Sequence, residues 1–282
     1  MTLLRWFGHA TVRLEMSGKR FLFDPLLAGG IGPVRRRGKS PDLEVQPVDA
    51  ILISHAHQDH LHLASLRRLD RSAVVVLPRG AGRLAHRLGF DDVRELDADE
   101  TTSIGDVRVR AVPAAHDGRR MPFGPVAPAL GYVLEGEDRV YFAGDTDLFP
   151  GMADVTSDLD LAILPIGGWG PTLRSGHLDP TTAASALRLL KPRAAVAVHW
   201  GTLWPMGLGR VRRHRFEGPG ERFIEAARHT APDVVIPRLR PGDTFELPPR
   251  GTPRPAGPAQ RLVPETAAER ELADSAQASE PN

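Results

Sequence analysis

The chain has 282 residues, enough for one large domain or two small ones, and its 41% hydrophobic and 25% charged content suits a soluble globular protein with a sizeable core. Its 36 basic residues nearly cancel 35 acidic ones; a net charge of +1 supplies no global basic field and argues against a dedicated nucleic-acid binder. There is no cysteine, which excludes disulfides, thiol catalysis, iron–sulfur clusters and cysteine-held zinc, so any metal must be held by His, Asp, Glu or backbone oxygen.

The segment Met1–His9 lacks a basic stretch followed by a long apolar one, so no signal peptide is expected. No apolar run approaches the roughly 18 residues of a membrane span, so no stable membrane insertion is expected and a cytoplasmic location follows by default. Strands occupy the N-terminal region. Ala50–Ser54, apolar up to its last residue, and Ala73–Leu77, wholly apolar, are short runs that read as buried strands. Ala81, Leu84, Ala85 and Leu88 recur at helical spacing, with Gly89 closing the helix. Val107, Val109 and Ala111 alternate with arginines, the pattern of a half-exposed strand. Tyr132–Leu134 and Val140–Ala143 flank a Gly-Glu-Asp turn and predict a hairpin. Leu161–Pro165 and Ala194–His199 are two more buried strands. Between them Asp179 caps a helix with Pro180 at its first position, ending before Pro192. A last helix spans about Pro219–His229, with Phe223, Ile224 and Ala227 on one face. From Pro249 to Asn282 the chain is rich in Pro, Ala, Glu and Arg, with little to bury; this predicts a folded domain over 1–248 and a disordered tail over 249–282. Mixed strand and helix units predict a layered α/β protein.

The densest chemical signal is Ser54-His55-Ala56-His57-Gln58-Asp59-His60, directly after a buried strand. Three imidazoles and a carboxylate packed this closely are costly unless something binds them. His55 and His57 point to one side of an extended loop, while Asp59 and His60 turn toward a neighbouring point, a spacing that suits two adjacent metal ions with N and O ligands. A polar surface loop is the plain alternative, and it gives no reason for H-x-H-x-D-H to follow a buried strand. His116, Asp145 and His199 each follow a strand. Singly each reads as structural; together they supply about the number of ligands a two-metal site needs.

With these residues in place, the chain resembles the metallo-β-lactamase superfamily, whose ligand order is H-x-H-x-D-H, then His, then Asp, then His. Trp6–Thr11, Phe23-Asp24-Pro25, Ala143–Thr146, Leu164–Gly167, Gly176–Pro180 and His199–Thr202 look like the branch that contains N-acyl-phosphatidylethanolamine-hydrolysing phospholipase D and the ascorbate-6-phosphate lactonases. The resemblance covers nearly all of 1–248. It implies a four-layer αββα sandwich with metals at one edge, between the sheets. It implies that His55, His57 and His116 bind one ion, that Asp59, His60 and His199 bind the other, and that Asp145 bridges them. Asp24 would orient a ligand histidine; an Asp-Pro turn is the alternative. His177 would line the site on the substrate side, against the alternative of a loop histidine beside the next helix cap. His9 divides evenly between a supporting role at the site and a structural one. His62 departs from the branch and stays unassigned, and His86 and His229 read as solvated helix residues.

The expected activity is metal-dependent hydrolysis of an ester, lactone or phosphodiester. Two divalent ions, zinc ahead of manganese, would activate a water, with Asp59 relaying a proton and His177 steadying the developing charge. The expected partner is a small, anionic substrate; no nucleic acid is expected, and the sequence does not set the oligomeric state. Arg119 and Arg120, or Arg210, Arg212, Arg213, His214 and Arg215, would receive a phosphate or carboxylate unless they form solvated loops. A β-lactamase is not expected, because lactamases of the superfamily usually lack an aspartate at the position matching Asp145. A non-haem iron oxygenase on the same fold and a non-catalytic metal-binding module remain as alternatives.

Overall fold

Phe21 and Phe23 pack on one side of their strand and Leu22 on the other, and all three are buried. This alternation, with burial on both faces, recurs through the computed structural model, which describes residues 1–37, 47–120, 124–169, 173, 175–208 and 216–251. Among the described residues the first sheet runs β16 (Thr244–Glu246), β1 (Leu3–Gly8), β2 (Thr11–Met16), β3 (Lys19–Phe23), β6 (Ala50–Leu52), β7 (Val74–Pro78), β8 (Val93–Leu96). The second runs β14 (Ala194–Val198), β13 (Leu161–Pro165), β12 (Arg139–Phe142), β11 (Leu130–Glu135), β10 (Val107–Pro113), β9 (Thr101–Ile104). A small third sheet joins β15 (Leu203–Pro205), β5 (Val34–Arg36) and β4 (Gly30–Ile31).

The side-chain sorting defines four layers. Phe21, Phe23, Ala50 and Leu52 meet Tyr132, Val140, Phe142, Leu161, Ile163 and Val196 in one central core between the two sheets. The opposite faces of the same strands carry Leu22, Ile51 and Val75 on one side and Tyr141, Ala162, Leu164 and Ala195 on the other. The first set is covered by α1 (Leu63–Leu66) and α2 (Gly82–His86), the second by α3 (Pro180–Leu190) and α4 (Pro219–Thr230). This is the αββα sandwich expected from the sequence.

The legible elements sit where their patterns place them. Asp179 caps α3 through the Thr181 and Thr182 amides, and Thr182 Oγ1 accepts from the Asp179 backbone N–H, a reciprocal box with Pro180 at the first position. Gly89, at φ +85°, ends α2: its N–H bonds the His86 carbonyl and the next N–H, of Phe90, reaches back to Ala85. The predicted hairpin is the antiparallel pair β11–β12.

β3, β6 and β7 run parallel, as do β12, β13 and β14, so within each group the carboxyl ends share one edge. Phe23 and Phe142 stack at 4.5 Å between centroids just beneath that edge, tying the two sheets together. Gly144 lies directly above. It has φ +61°, and a Cβ there would stand 2.6 Å from Ser54 Cβ, so the strand end crosses to the opposite sheet only with glycine.

Ordered contacts reach Arg250. Arg193 donates to the Pro248 and Pro249 carbonyls, and Arg250 pairs with buried Asp160 at 2.5 Å. Residues 252–282, like the Arg210–Arg215 cluster, lie outside the described residues. Because 252–282 are rich in Pro, Ala, Glu and Arg with little to bury, a chain ending at Gly251 is expected to melt within about 3 °C of the full chain, about 1 kcal/mol for a domain of this size. A larger drop in a calorimetric scan would show that 252–282 pack on the core.

Candidate metal centre

Most of the chemistry-bearing residues sit in the loops that follow strand ends on the shared edge. His9 follows β1, Asp24 follows β3, the loop 54–60 follows β6, His116 follows β10, Asp145 follows β12 and His199 follows β14. His177 lies in the connection into α3. Three of these residues, His9 (φ +52°), Asp24 (φ +40°) and His199 (φ +62°), hold left-handed backbone that a side chain disfavours. Such strain persists where surrounding contacts over-determine it, and it clusters at functional sites.

Outer partners fix the imidazoles. Asp24 accepts three hydrogen bonds: from the Ser54 N–H (2.7 Å), the Ser54 hydroxyl (2.6 Å) and His60 Nδ1 (2.6 Å). Because Ser54 gives its only proton to Asp24, its oxygen accepts from His55 Nδ1 at 2.9 Å. His116 Nδ1 donates to the Gly176 carbonyl (2.8 Å) and His199 Nδ1 to the Gly167 carbonyl (3.0 Å). Four imidazoles thus turn Nε2 inward.

The inward nitrogens crowd. His57 Nδ1 stands 2.9 Å from His55 Nε2 and 3.2 Å from His116 Nε2, and His60 Nε2 stands 3.2 Å from His199 Nε2. Nitrogens about 2.05 Å from one tetrahedral zinc would lie about 3.3 Å apart, so these spacings fit metal coordination. Asp145 Oδ2 is 3.2 Å from His60 Nε2, and Oδ1 is 3.3 Å from His199 Nε2; Oδ1 is buried and makes no hydrogen bond. Asp59 Oδ2 lies 3.5 Å from His60 Nε2 and 3.7 Å from His199 Nε2. Among the described residues, donor atoms gather within 4.8 Å of one another in four groups: His55, His57 and His116; His9, Asp59, His60 and His199; His55, His60 and Asp145; His116, Asp145 and His177.

The electrostatics also call for a cation. Burial pushes the Asp59 and Asp145 carboxyls up, but neighbouring imidazoles, His60 foremost for Asp59 and His199 then His60 for Asp145, hold both well below the usual carboxylate range. Burial pushes His60 down, yet Asp145, Asp24 and Asp59 together raise it well above an ordinary imidazole. His55, His57 and His116 are lowered chiefly by burial, His116 to about 4, which keeps their lone pairs available. Ionised carboxylates beside the three imidazoles of His55, His57 and His116 that burial keeps neutral make a site for borderline divalent ions.

These shifts set a pH response for metal-stripped protein. His9, lowered to about 3 mainly by burial, and His116 stay neutral in the fold while the unfolded chain protonates near 6.5. The unfolded state therefore binds more protons as pH falls from 6.5 toward 4, and stability drops across that window. The raised His60 contributes stability that is already complete below 6.5, and Asp59 and Asp145 lose theirs only below about 3.8. Melting curves should fall by roughly 5 °C or more between pH 6.5 and 4; a flat profile would contradict the neutral cluster.

The structure brings together all seven proposed ligands, and His177 Nε2 stands 3.4 Å from Asp145 Oδ2, its ring edge-on to His116 at 4.7 Å. Sequence reasoning gave no role to Ser54, or to the Gly167 and Gly176 carbonyls; a serine directly before H-x-H was the one visible hint. His62, unassigned from sequence, caps α1 by accepting from the Ser65 N–H. Arg120, a candidate anion receiver, is turned to the site's frame: its Nη1 donates to the Ala56 and Leu61 carbonyls, each at 2.9 Å, clamping the loop that carries His57, Asp59 and His60. Exposed His86 and His229 lie outside the cluster.

An αββα sandwich with imidazole and carboxylate groups converging at one edge defines a class of metal-dependent hydrolases. The family model described as beta-lactamase superfamily domain matches residues 19–200, and the chain belongs to that superfamily. It is 30% identical over 249 residues to a metal-dependent hydrolase of Methanopyrus kandleri, covering 86% of this chain and 99% of that protein. It is also 30% identical over 229 residues to N-acyl-phosphatidylethanolamine-hydrolyzing phospholipase D 1 of Caenorhabditis elegans, covering 72% of this chain and 64% of that one. CmlA, a diiron β-hydroxylase from Streptomyces venezuelae, shares the fold with a TM-score of 0.64 at 22% identity, covering 87% of this chain and 54% of CmlA. No helix among the described residues is long and apolar enough to cross a membrane.

Proposed function

We propose that this chain is a dinuclear metal hydrolase acting on an ester, lactone or phosphodiester bond of a small, anionic substrate in the cytoplasm. His55, His57 and His116 would hold one ion and Asp59, His60 and His199 the other, with Asp145 shared between them; zinc would be preferred to manganese for this mixture of imidazole and carboxylate. The observation that carries the reading is Asp145. Its carboxylate shares one donor cluster with His55 and His60 and another with His116 and His177, so it adjoins both ligand sets, and one of its oxygens is buried and free of hydrogen bonds. When bound, a pair of divalent ions supplies a hydroxide at neutral pH and polarises the substrate oxygen.

The chain's own residues do the rest. Asp24 and Ser54 hold His55 and His60 with their Nε2 atoms inward, so little reorganisation is needed when charge develops. Asp59, a buried carboxylate beside His60 and His199, would take the proton released when the water is activated and return it to the leaving group. His177 is partly exposed, with 16% of its side chain open to solvent, and Nε2 reaches Asp145, a position from which it can donate to the oxyanion or leaving group.

A metal-resolved screen tests the reading: metal-stripped protein reloaded singly with Zn²⁺, Mn²⁺ or Fe²⁺ is assayed on bis(p-nitrophenyl) phosphate and on simple esters and lactones, with oxygen uptake followed in parallel. Metal-dependent hydrolysis without oxygen consumption is expected. Iron-dependent oxygen uptake coupled to substrate loss would replace the reading with an oxygenase, and metal binding without turnover would leave a binding module.

A further inference from the structure

We infer that His9 is a positioning residue for one half of the metal centre: its Nε2–H holds Asp59 in the orientation that completes the second ion's position, so that His9 governs that ion's affinity and leaves the first ion's alone. The inference rests on the assignment of Asp59, His60 and His199 to a single ion.

His9 occupies the turn Gly8-His9-Ala10 between β1 and β2, with 1% exposure. Its backbone is pinned on three sides. The His9 N–H donates to Thr202 Oγ1 (2.7 Å), and its carbonyl accepts from Trp6 Nε1 (2.9 Å) and from the backbone N–H of His199 (2.8 Å). These bonds hold the left-handed φ of +52° and aim the ring at the site. There Nε2 lies 2.8 Å from Asp59 Oδ2. An ionised carboxylate only accepts, so the proton belongs to His9 Nε2, the reverse of the inward lone pairs on His55, His116 and His199, whose Nδ1 atoms donate outward. His9 is thus a donor inside a ring of acceptors.

The oxygen it grips is the one that faces the second group, 3.5 Å from His60 Nε2 and 3.7 Å from His199 Nε2. A carboxylate on a loop can turn about its last torsion; a buried hydrogen bond to that oxygen stops the rotation. The His9 ring also packs on that of His199 at 4.0 Å between centroids. One residue therefore braces two of the second ion's three unshared ligands, through its carbonyl and its ring. The first group is braced from elsewhere: His55 by Ser54 and His116 by Gly176.

The test is equilibrium dialysis of metal-stripped full-length protein against Zn²⁺, with metal per chain read by elemental analysis and melting curves recorded alongside. His9→Asn tolerates left-handed backbone but is too short to reach Asp59, and His9→Ala is a second variant lacking the donor. His9→Gln carries an N–H near the lost Nε2. Wild type is expected to bind two equivalents. The asparagine and alanine variants should keep the first at wild-type affinity and lose roughly 10- to 100-fold on the second, the range for removing such a support; His9→Gln should recover most of it. Two equivalents at wild-type affinity in the asparagine or alanine variant, with only a lower melting midpoint, would make His9 a packing residue and overturn the inference. Glutamine no better than asparagine would also overturn it, pointing to direct coordination. Fewer than two equivalents in wild type would overturn the two-ion reading itself, whatever the variants do.

Discussion

Replacing His57 or Asp145 with alanine is expected to bring hydrolysis to background and to lower bound metal. His57 turns Nδ1 toward both His55 and His116, so its loss opens the group that would hold one ion. Asp145 stands within 3.3 Å of both His60 and His199 and shares a donor group with His116, so its loss strikes both positions. Elemental analysis should find less than wild-type metal in Asp145→Ala, and in His57→Ala a deficit confined to one equivalent. The proteins should still fold, because the central core is built from strand residues below the edge. Full metal occupancy with wild-type turnover in either variant would sink the ligand assignment.

His177→Ala should behave differently: metal content unchanged, and kcat/KM lowered roughly 10²-fold or more, the usual range for a lost proton donor or oxyanion contact. The motivation is position. The His177 ring lies edge-on to His116 and Nε2 lies 3.4 Å from Asp145 Oδ2, while its Nδ1 faces the Ser175 carbonyl at 3.3 Å. A purely structural histidine would give a lower melting midpoint with near-normal turnover. Loss of metal would make His177 a ligand, as its place in a donor group with His116 and Asp145 allows. Kinetics, melting and metal content measured on this one variant separate the three.

What was legible in the sequence was whatever local spacing carries. H-x-H-x-D-H after a buried strand, single His or Asp residues at later strand ends, and the Asp179-Pro180 cap depend on neighbours along the chain, and the structure places each of these residues where its pattern puts it. Strands apolar on both faces, as in Leu161–Pro165, announced sheets covered by helices, while the four-layer arrangement came from the family resemblance. What escaped depends on approach in three dimensions. The Ser54 hydroxyl joins Asp24, 30 residues earlier, to His55, and nothing in either segment announces the other. The Gly167 and Gly176 carbonyls serve as backbone atoms, which sequence does not display. His9 was ambiguous because a histidine at a strand end has no local signature; only the fold brings it to Asp59, 50 residues away. α1 is four residues long, too short for helical periodicity, and starts from a histidine cap. Arg120 looked like an anion receiver because sequence shows its charge and hides the two carbonyls that occupy it.

The central claim is that two ions, held by seven side chains, make the catalyst. It is tested most directly by titrating metal-stripped wild-type protein with Zn²⁺ while following hydrolysis of whichever ester, lactone or phosphodiester the screen identifies. The account predicts that activity is absent without metal and reaches its plateau at two equivalents per chain. Full activity in the presence of excess chelator, or a plateau at one equivalent with no further binding, would contradict it.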